Sequence, residues 1–449
     1  MESKIRKSLY TPLSSGNLHA IVPELSIQRS NLLVIAPALL TSAGEDFEFT
    51  IHFTSVSPPD WLSKRNKQFF TKVDQLTISG ELNGDFAFQC RDVFPPAGGT
   101  FRSPGTTTLT LHSKRLELVA HGADALTSSE LDKLLKRSPR QKLGGPPFSA
   151  HVIFDGPKLR IRDSGSETNR QNDFLGKAAS SSFDTHMFGG VDYEAALIQK
   201  DRELHFHVRS KENIGVRRSV ALVDRLTRSI AFAFGFHPWP SYREIRVDHR
   251  VYERWISPQF GLDQLFIAPI SESLWATYFS EKSNPLYRII PTMEAGMRKL
   301  KRSERNRIET LLWHVRSTHF SELPHSTKML ILCSAIDGLL QLVTGTENDL
   351  RRPPTDTLWR KASKELNLSW EKWMNEIFEL RGRHRHDLAH GRLWLPDERG
   401  FDDFREYALL GCAFMTMIAA RCGYEGPVLA DPYKPRKVVI SDLKNPSAS

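Results

Sequence analysis

The sequence predicts an α+β protein, in which a β-rich, sandwich-like part with inserted helices precedes an all-α helical bundle. Before residue 270, short runs alternate apolar and polar residues, as in FEFTIHF at 47–53. Such alternation is typical of strands with one buried and one solvated face. After residue 270, apolar residues recur at helical spacing. We therefore expect a β-rich domain at 1–270, a helical domain at 271–430 and a flexible basic tail at 431–449.

Composition narrows the class of protein. The formal net charge is +9 and the pI is about 9.3, which favours an anionic partner such as nucleic acid. No run of about 18 apolar residues predicts a membrane span, and the N-terminus lacks the apolar core of a signal peptide. The four cysteines form no CxxC pair, which argues against a zinc ribbon and favours a reducing compartment. We expect a cytoplasmic protein with no membrane partner.

Two segments in the last part are strong helix candidates. The first, 325–345, is apolar except near its ends and at Ser334 and Asp337, and Gly345 is suited to end it. The second, 369–391, begins with Ser369 as a candidate N-cap. Both are long enough to pack against several neighbouring helices.

The second helix ends in a dense basic stretch, RGRHRHDLAHG. At helical spacing Arg381 lies on the apolar stripe and Arg385 at its edge. His386 and His390 are four residues apart and share the opposite face, while Asp387 points elsewhere on the polar side. A cluster of basic residues at a helix C-terminus is favoured by the helix dipole and requires no function.

A metal site is one alternative for this stretch. His386 and His390 have the HxxxH spacing that places two ligands on one helix face. Asp387 stands where metal-dependent hydrolases of this pattern carry a glutamate, and no third ligand follows nearby. A metallohydrolase using the two histidines therefore stays open as a hypothesis.

The segment RHDLAHG resembles the RxxxxH motif of HEPN ribonucleases. Arg385 matches the arginine, His386 the polar follower and His390 the closing histidine. Upstream, ILCSAIDGLL resembles the earlier core helix of that family, with Asp337 at its acidic position. The resemblance covers about residues 300–425 and is closest to the ApeA-like branch, in which a β-rich domain precedes the HEPN domain in bacterial anti-phage proteins.

The resemblance implies a metal-independent endoribonuclease with no cofactor. The 2′-hydroxyl of RNA would attack the phosphate, giving a 2′,3′-cyclic phosphate and a 5′-hydroxyl. An imidazole such as that of His390 suits proton transfer near neutral pH, Arg385 suits phosphate oxygens, and His386 could assist either. The supporting residues are Asp337, Arg381 and Asp387, and Asp337 would pair with Arg385 or Arg381 and set its orientation.

The resemblance also implies a homodimer whose two copies of this motif face each other across one composite cleft. RNA, with tRNA as one candidate, would be the substrate. Because a constitutive ribonuclease is toxic, we expect restraint until a phage-derived trigger arrives, with the β-rich domain at 1–270 as the sensor or regulator. Two alternatives stay open: a non-catalytic HEPN module that binds RNA or protein, and a helical domain that only oligomerises the chain.

A second basic cluster precedes the apolar helix and is a candidate RNA-binding surface. Such density can contact several phosphates and makes binding dependent on salt, although a solvated helix face has the same composition. Its members are Arg298, Lys299, Lys301, Arg302, Arg305 and Arg307.

Overall fold

The computed structural model describes 19–29, 32–43, 46–53, 76–82, 86–94, 100–103, 106–113, 115–119, 148–155, 184–200, 203–211, 215–234, 240–247, 250–257, 286–320, 323–346, 354–389, 396–431 and 436–443. The chain divides into two compact units. The first comprises Met1–Lys158, Asp192–Val220 and Trp239–Leu262, and the second comprises Leu159–Val191, Ala221–Pro238 and Asp263–Ser449. The predicted boundary at residue 270 lies outside the described residues.

Several strands of the first unit alternate in burial, as the sequence pattern predicts, and the strand at 47–51 is one of them. The strands of this unit are β1 His19–Arg29, β2 Leu32–Ala43, β3 Asp46–Phe53, β4 Leu76–Leu82, β5 Phe86–Phe94, β6 Thr100–Ser103, β7 Thr106–Ser113, β8 Leu116–Leu118, β9 Phe148–Asp155, β11 Tyr193–Lys200, β12 Glu203–Ser210, β13 Tyr242–Val247 and β14 Arg250–Ile256. The second unit contributes β10 Asp184–Gly189. The described residues therefore contain a large antiparallel sheet region, followed mainly by helices, and confirm a mixed α+β protein.

Part of the sheet closes into a ring. Strands β5, β4, β1, β2, β3 and β7 are successive antiparallel neighbours, and β7 also pairs with β5. The interior of the ring is apolar, with Leu40, Phe47, Phe49, Ile51 and Phe88 essentially inaccessible to water. The expectation of a sandwich is corrected here: closure removes the two strand edges that stacked open sheets would leave.

The remaining strands of the unit extend the same sheet. Their order is β11–β12–β9–β13–β14–β8, and β8 pairs with β5 of the ring. On β12, Leu204, Phe206 and Val208 are buried on one face of the sheet. Because side chains alternate along a strand, His205 and His207 lie on the other face.

The described residues form seven α-helices. They are α1 Val216–Phe234, α2 Leu286–Lys299, α3 Arg302–Phe320, α4 His325–Thr344, α5 Thr355–Glu365, α6 Asn375–Ala389 and α7 Pro396–Arg421. Helix α4 packs against α3, α5, α6 and α7. Among the described residues it alone is long and apolar enough, by length and mean hydropathy, to span a membrane. Most of it is buried between other helices, which is the position of a core helix in a soluble bundle.

Two helix ends agree with the sequence analysis. Gly345 ends α4 in the left-handed region, at φ 68°, where glycine carries no Cβ penalty. The Ser369 hydroxyl accepts a hydrogen bond from the Lys372 backbone N–H at 3.3 Å. The helix that follows does not start as a regular α-helix, because Trp370–Met374 forms a π-turn before α6.

The predicted flexible tail is partly folded. Strands β15 Pro427–Asp431 and β16 Arg436–Val439 form an antiparallel pair, followed by the 3₁₀ turn Ile440–Leu443. The backbone N–H of Ser369 donates to the carbonyl of Leu443. Buried Ile440 and Leu443 explain why this segment stays attached to the helical unit.

Candidate active site on helix α6

A single carboxylate on α4 joins two arginines on α6. Asp337 Oδ2 accepts a hydrogen bond from Arg381 Nη2, and another from Arg385 Nη1 at 2.7 Å. The two arginines are four residues apart, so they share the helix face that meets α4. The sequence analysis expected Asp337 to pair with one or the other, and the structure pairs it with both.

The two arginines have different surroundings. The Arg381 side chain is 5% exposed, and its Nε is buried with no hydrogen-bond partner among the described residues. Asp337 is itself mostly buried, and a buried charge is costly unless it is paired. We infer that Arg381 and Asp337 stabilise each other inside the bundle, which is a structural role.

Arg385 is the surface-exposed member of the group that it forms with Arg381 and Asp337. Its side chain is 48% exposed although Nη1 donates to Asp337. One side of the guanidinium is therefore held in place while the remainder faces solvent. Because two cations share one carboxylate, the local charge favours an anion, and a guanidinium fork matches phosphate oxygens.

The other residues of the motif are described unevenly. His386 follows Arg385 on α6 and is exposed. Asp387 belongs to α6, but its side chain lies outside the described part of the structure, and so does all of His390. The catalytic roles of Arg385, His386 and His390, and the supporting role of Asp387, stay predictions, as does a metal bound by His386 and His390.

A second ion pair, which the sequence analysis did not predict, ties α6 to α7. His384 Nε2 lies 2.6 Å from Glu406 Oε2, and Arg383 Nη1 donates to Glu406 Oε1 at 3.2 Å. The His384 side chain is only 4% exposed. The dense basic stretch thus serves two helix contacts, one through Asp337 and one through Glu406. The sequence signal for this second contact was the alternation of Arg and His, because consecutive residues lie on different faces of a helix.

A buried thiol lies one helical turn before the carboxylate. Burial raises the pKa of Cys333 to about 12, and this outweighs the opposite effect of the Arg381 charge. A thiol with this pKa is neutral at physiological pH and is a poor nucleophile. Cys333 is therefore part of the core rather than of a reactive centre.

The predicted RNA-binding cluster lies at the junction of α2 and α3. All six of its members are exposed except Arg305, which is half-buried. Acidic residues of α3 bind arginines from other helices: Glu304 accepts from Arg421 at 2.7 Å, and Glu309 accepts from Arg228. The arrangement leaves basic side chains at the surface, which suits phosphate contacts and a solvated face equally.

Similarity to known proteins adds nothing to this geometry. No protein-family model, curated protein or solved structure matches the chain. The interpretation of the site therefore depends on the arrangement of its own residues.

Proposed function

We propose that the protein is a metal-independent endoribonuclease of the HEPN type. The observation that supports this most directly is Arg385, a half-exposed guanidinium held by the buried carboxylate of Asp337. A preorganised cation at the surface stabilises charge that develops on a phosphate without needing to reorient during the reaction. The same helix carries exposed His386, and His390 follows four residues later in the sequence.

The proposed reaction uses the nucleophile of the RNA itself. A histidine accepts the proton of the 2′-hydroxyl, whose oxygen attacks the adjacent phosphorus. The bond from phosphorus to the 5′-oxygen breaks, and that oxygen receives a proton from another group, which acts as the general acid. The products are a 2′,3′-cyclic phosphate and a 5′-hydroxyl. His390 is the proposed proton-transfer group, His386 shares this role, and Arg385 binds the phosphate oxygens.

The proposal includes a homodimer. Each protomer supplies one copy of Arg385, His386 and His390, and two copies across one cleft provide both a base and an acid. The exposed position of His386 is compatible with a partner that covers it. The cluster of basic residues around Lys301 would hold RNA, with tRNA as a candidate substrate, in a cytoplasmic anti-phage protein that responds to a phage-derived trigger.

Cleavage of RNA in the presence of excess EDTA tests the proposal. Purified wild-type protein, Arg385→Ala, His390→Ala and the control Arg383→Ala are incubated with total RNA. Arg383 is exposed and two residues from Arg385, but it donates to Glu406 instead of Asp337. We expect wild type and Arg383→Ala to cleave and the other two variants to lose about 10²–10⁴-fold in rate.

The ends of the products distinguish mechanisms. Direct labelling by polynucleotide kinase, without prior phosphatase treatment, detects the expected 5′-hydroxyl. Cleavage abolished by EDTA would instead support a metallohydrolase. If the purified wild-type protein does not cleave RNA, the same four proteins are compared in cells challenged with phage. Equal protection by wild type and His390→Ala would then refute the proposed nuclease.

A further inference from the structure

Three histidines meet on one face of the sheet in the first unit. His205 and His207 are two residues apart on β12, so their side chains point to the same face. His151 on β9 is the direct cross-strand partner of His207. One ring nitrogen from each histidine lies within 4.8 Å of the others. Because two paired strands hold all three residues, the backbone of the cluster is rigid.

The closest pair has nearly the spacing of two ligands on one metal ion. His151 Nε2 and His205 Nδ1 are 3.0 Å apart. In a tetrahedral zinc site with bonds of about 2.0–2.1 Å, two nitrogen ligands lie about 3.3–3.4 Å apart. The pair must therefore open by a few tenths of an ångström. A dication would replace the proton that now lies between the two nitrogens.

A carboxylate orients the buried histidine. His205 Nε2 lies 2.8 Å from Glu203 Oε2, and the His205 side chain is 1% exposed. When Nε2–H donates to this carboxylate, a neutral imidazole carries its lone pair on Nδ1, which is the atom that faces His151. Metal-binding histidines commonly donate their other ring N–H to a carboxylate in this way.

The third histidine has room to adjust. The His151 and His207 rings are stacked, with centroids 4.1 Å apart and planes inclined by 12°. Parallel rings direct their nitrogen lone pairs in parallel, so His207 must tilt to share an ion with His151. His207 is only half-buried, which permits this rotation.

A buried carboxylate on the same face already accepts hydrogen bonds from other residues. Glu244 is the cross-strand partner of His151, and its oxygens accept hydrogen bonds from Tyr242 and Arg254 at 2.8 and 2.6 Å. Burial raises the pKa of Glu244, but the charge of Arg254 and the charge and hydrogen bond of Arg246 outweigh it and lower the pKa overall. Glu244 thus remains an anion satisfied by its own hydrogen bonds, and the proposed ligands are the three histidines.

We propose that His151, His205 and His207 bind a divalent transition-metal ion, with Zn²⁺ as the expected occupant. Imidazole nitrogens suit Zn²⁺, and three protein ligands leave a fourth tetrahedral position for water or a substrate atom. This site lies in the β-rich unit, and it is independent of the proposed ribonuclease and of the HxxxH pair at His386 and His390.

The binding of Co²⁺ and Zn²⁺ to the full-length, EDTA-treated and dialysed protein tests the site. The double variant His386→Ala/His390→Ala serves as the background, because it removes the other candidate pair of ligands. We expect one ion per chain by elemental analysis, and with Co²⁺ the intense visible absorption of a tetrahedral complex. No binding in this background would overturn the proposal.

Variants in the same background identify the ligands. We expect His207→Ala to weaken Co²⁺ binding by at least about tenfold, and Glu203→Gln to weaken it by about 10–100-fold. His207 is half-buried, so its truncation is easier for the fold to tolerate than that of His205. Circular dichroism checks that each variant folds.

A control separates this cluster from histidines in general. His112 on β7 lies 3.8 Å from Glu48 and belongs to the closed ring. His112→Ala should bind Co²⁺ like the background protein. Equal affinity in His207→Ala and His112→Ala, with both folded, would show that the three histidines are not the ligands.

Discussion

The bundle around α4 and the sheet around β12 both bury titratable groups, but they assemble them differently. In the bundle, Arg381 and Arg385 come from one helix face and converge on Asp337. In the sheet, His205 and His207 meet His151 only through the register of β9 and β12. The spacing of Arg381 and Arg385 within one segment therefore predicts part of the helical set. The histidine cluster instead depends on pairing between distant segments.

The largest effect on stability is expected at the buried end of the helical set. Asp337→Asn removes the charge that compensates buried Arg381. Loss of one partner of a buried ion pair costs about 3–5 kcal/mol in the free energy of unfolding. Denaturation in urea measures this cost.

A surface ion pair provides the control for that measurement. Asp356 and Arg360 are 3.0 Å apart on α5, with both side chains more than half exposed. Asp356→Asn should change the free energy of unfolding by less than about 0.5 kcal/mol. Similar costs for the two variants would contradict the distinction between buried and exposed pairs.

A smaller loss of stability is expected where α6 meets α7. Glu406→Gln weakens the contacts with His384 and Arg383 and leaves a buried imidazole with a poorer acceptor. The expected cost is about 1–3 kcal/mol, since a hydrogen bond to a charged group contributes this much. Thermal unfolding measures it, and an unchanged midpoint would show that the pair does not hold α6 against α7.

The exposed end of the helical set should separate activity from stability. Arg385→Ala is expected to reduce RNA cleavage strongly while changing the free energy of unfolding by about 1 kcal/mol or less, because half of the side chain is in solvent. Parallel measurements of cleavage and unfolding test this. A loss of stability as large as that of Asp337→Asn would assign Arg385 a structural role instead.

The sheet should lose stability in acid through the buried carboxylate of Glu244. The pKa of Glu244 is lowered in the folded protein, so its contribution is present above the ordinary value of 4.5 and is lost as pH falls through the folded value. Glu244→Gln should therefore lose less stability than wild type between about pH 6 and about pH 3. Equal acid sensitivity would show that other carboxylates dominate.

The smallest effect concerns the buried thiols. Burial raises the pKa values of Cys333 and Cys422 to about 12, so their reactive thiolate forms are scarce at pH values below this. All four cysteines are buried, and none of them is in a disulfide. Native protein should react with a thiol reagent far more slowly than protein in denaturant, as measured by absorbance. Rapid reaction of Cys333 in the native state would indicate local opening of α4.

Particular residues in the sequence predicted local features of the structure, namely a strand and two helix ends. The alternation at 47–53 predicted a strand, and β3 covers Asp46–Phe53. Gly345 and Ser369 marked helix ends because a left-handed backbone and a side-chain cap depend on a few neighbouring residues. The pairing of Asp337 with arginines was also expected, whereas the separation of buried Arg381 from half-exposed Arg385 required the packing of α4 against α6.

The sequence by itself determined the α+β composition, the central apolar helix and the basic stretch at the end of α6, because hydrophobic period and end residues act within one segment. Only the tertiary structure decided three further features: the closure of β7 onto β5, the contact of Glu406 with His384, and the meeting of His151 with His207. Each joins residues that are distant in the chain. Their separation is set by strand register and helix packing, which minimise exposed backbone groups and apolar surface over a whole unit.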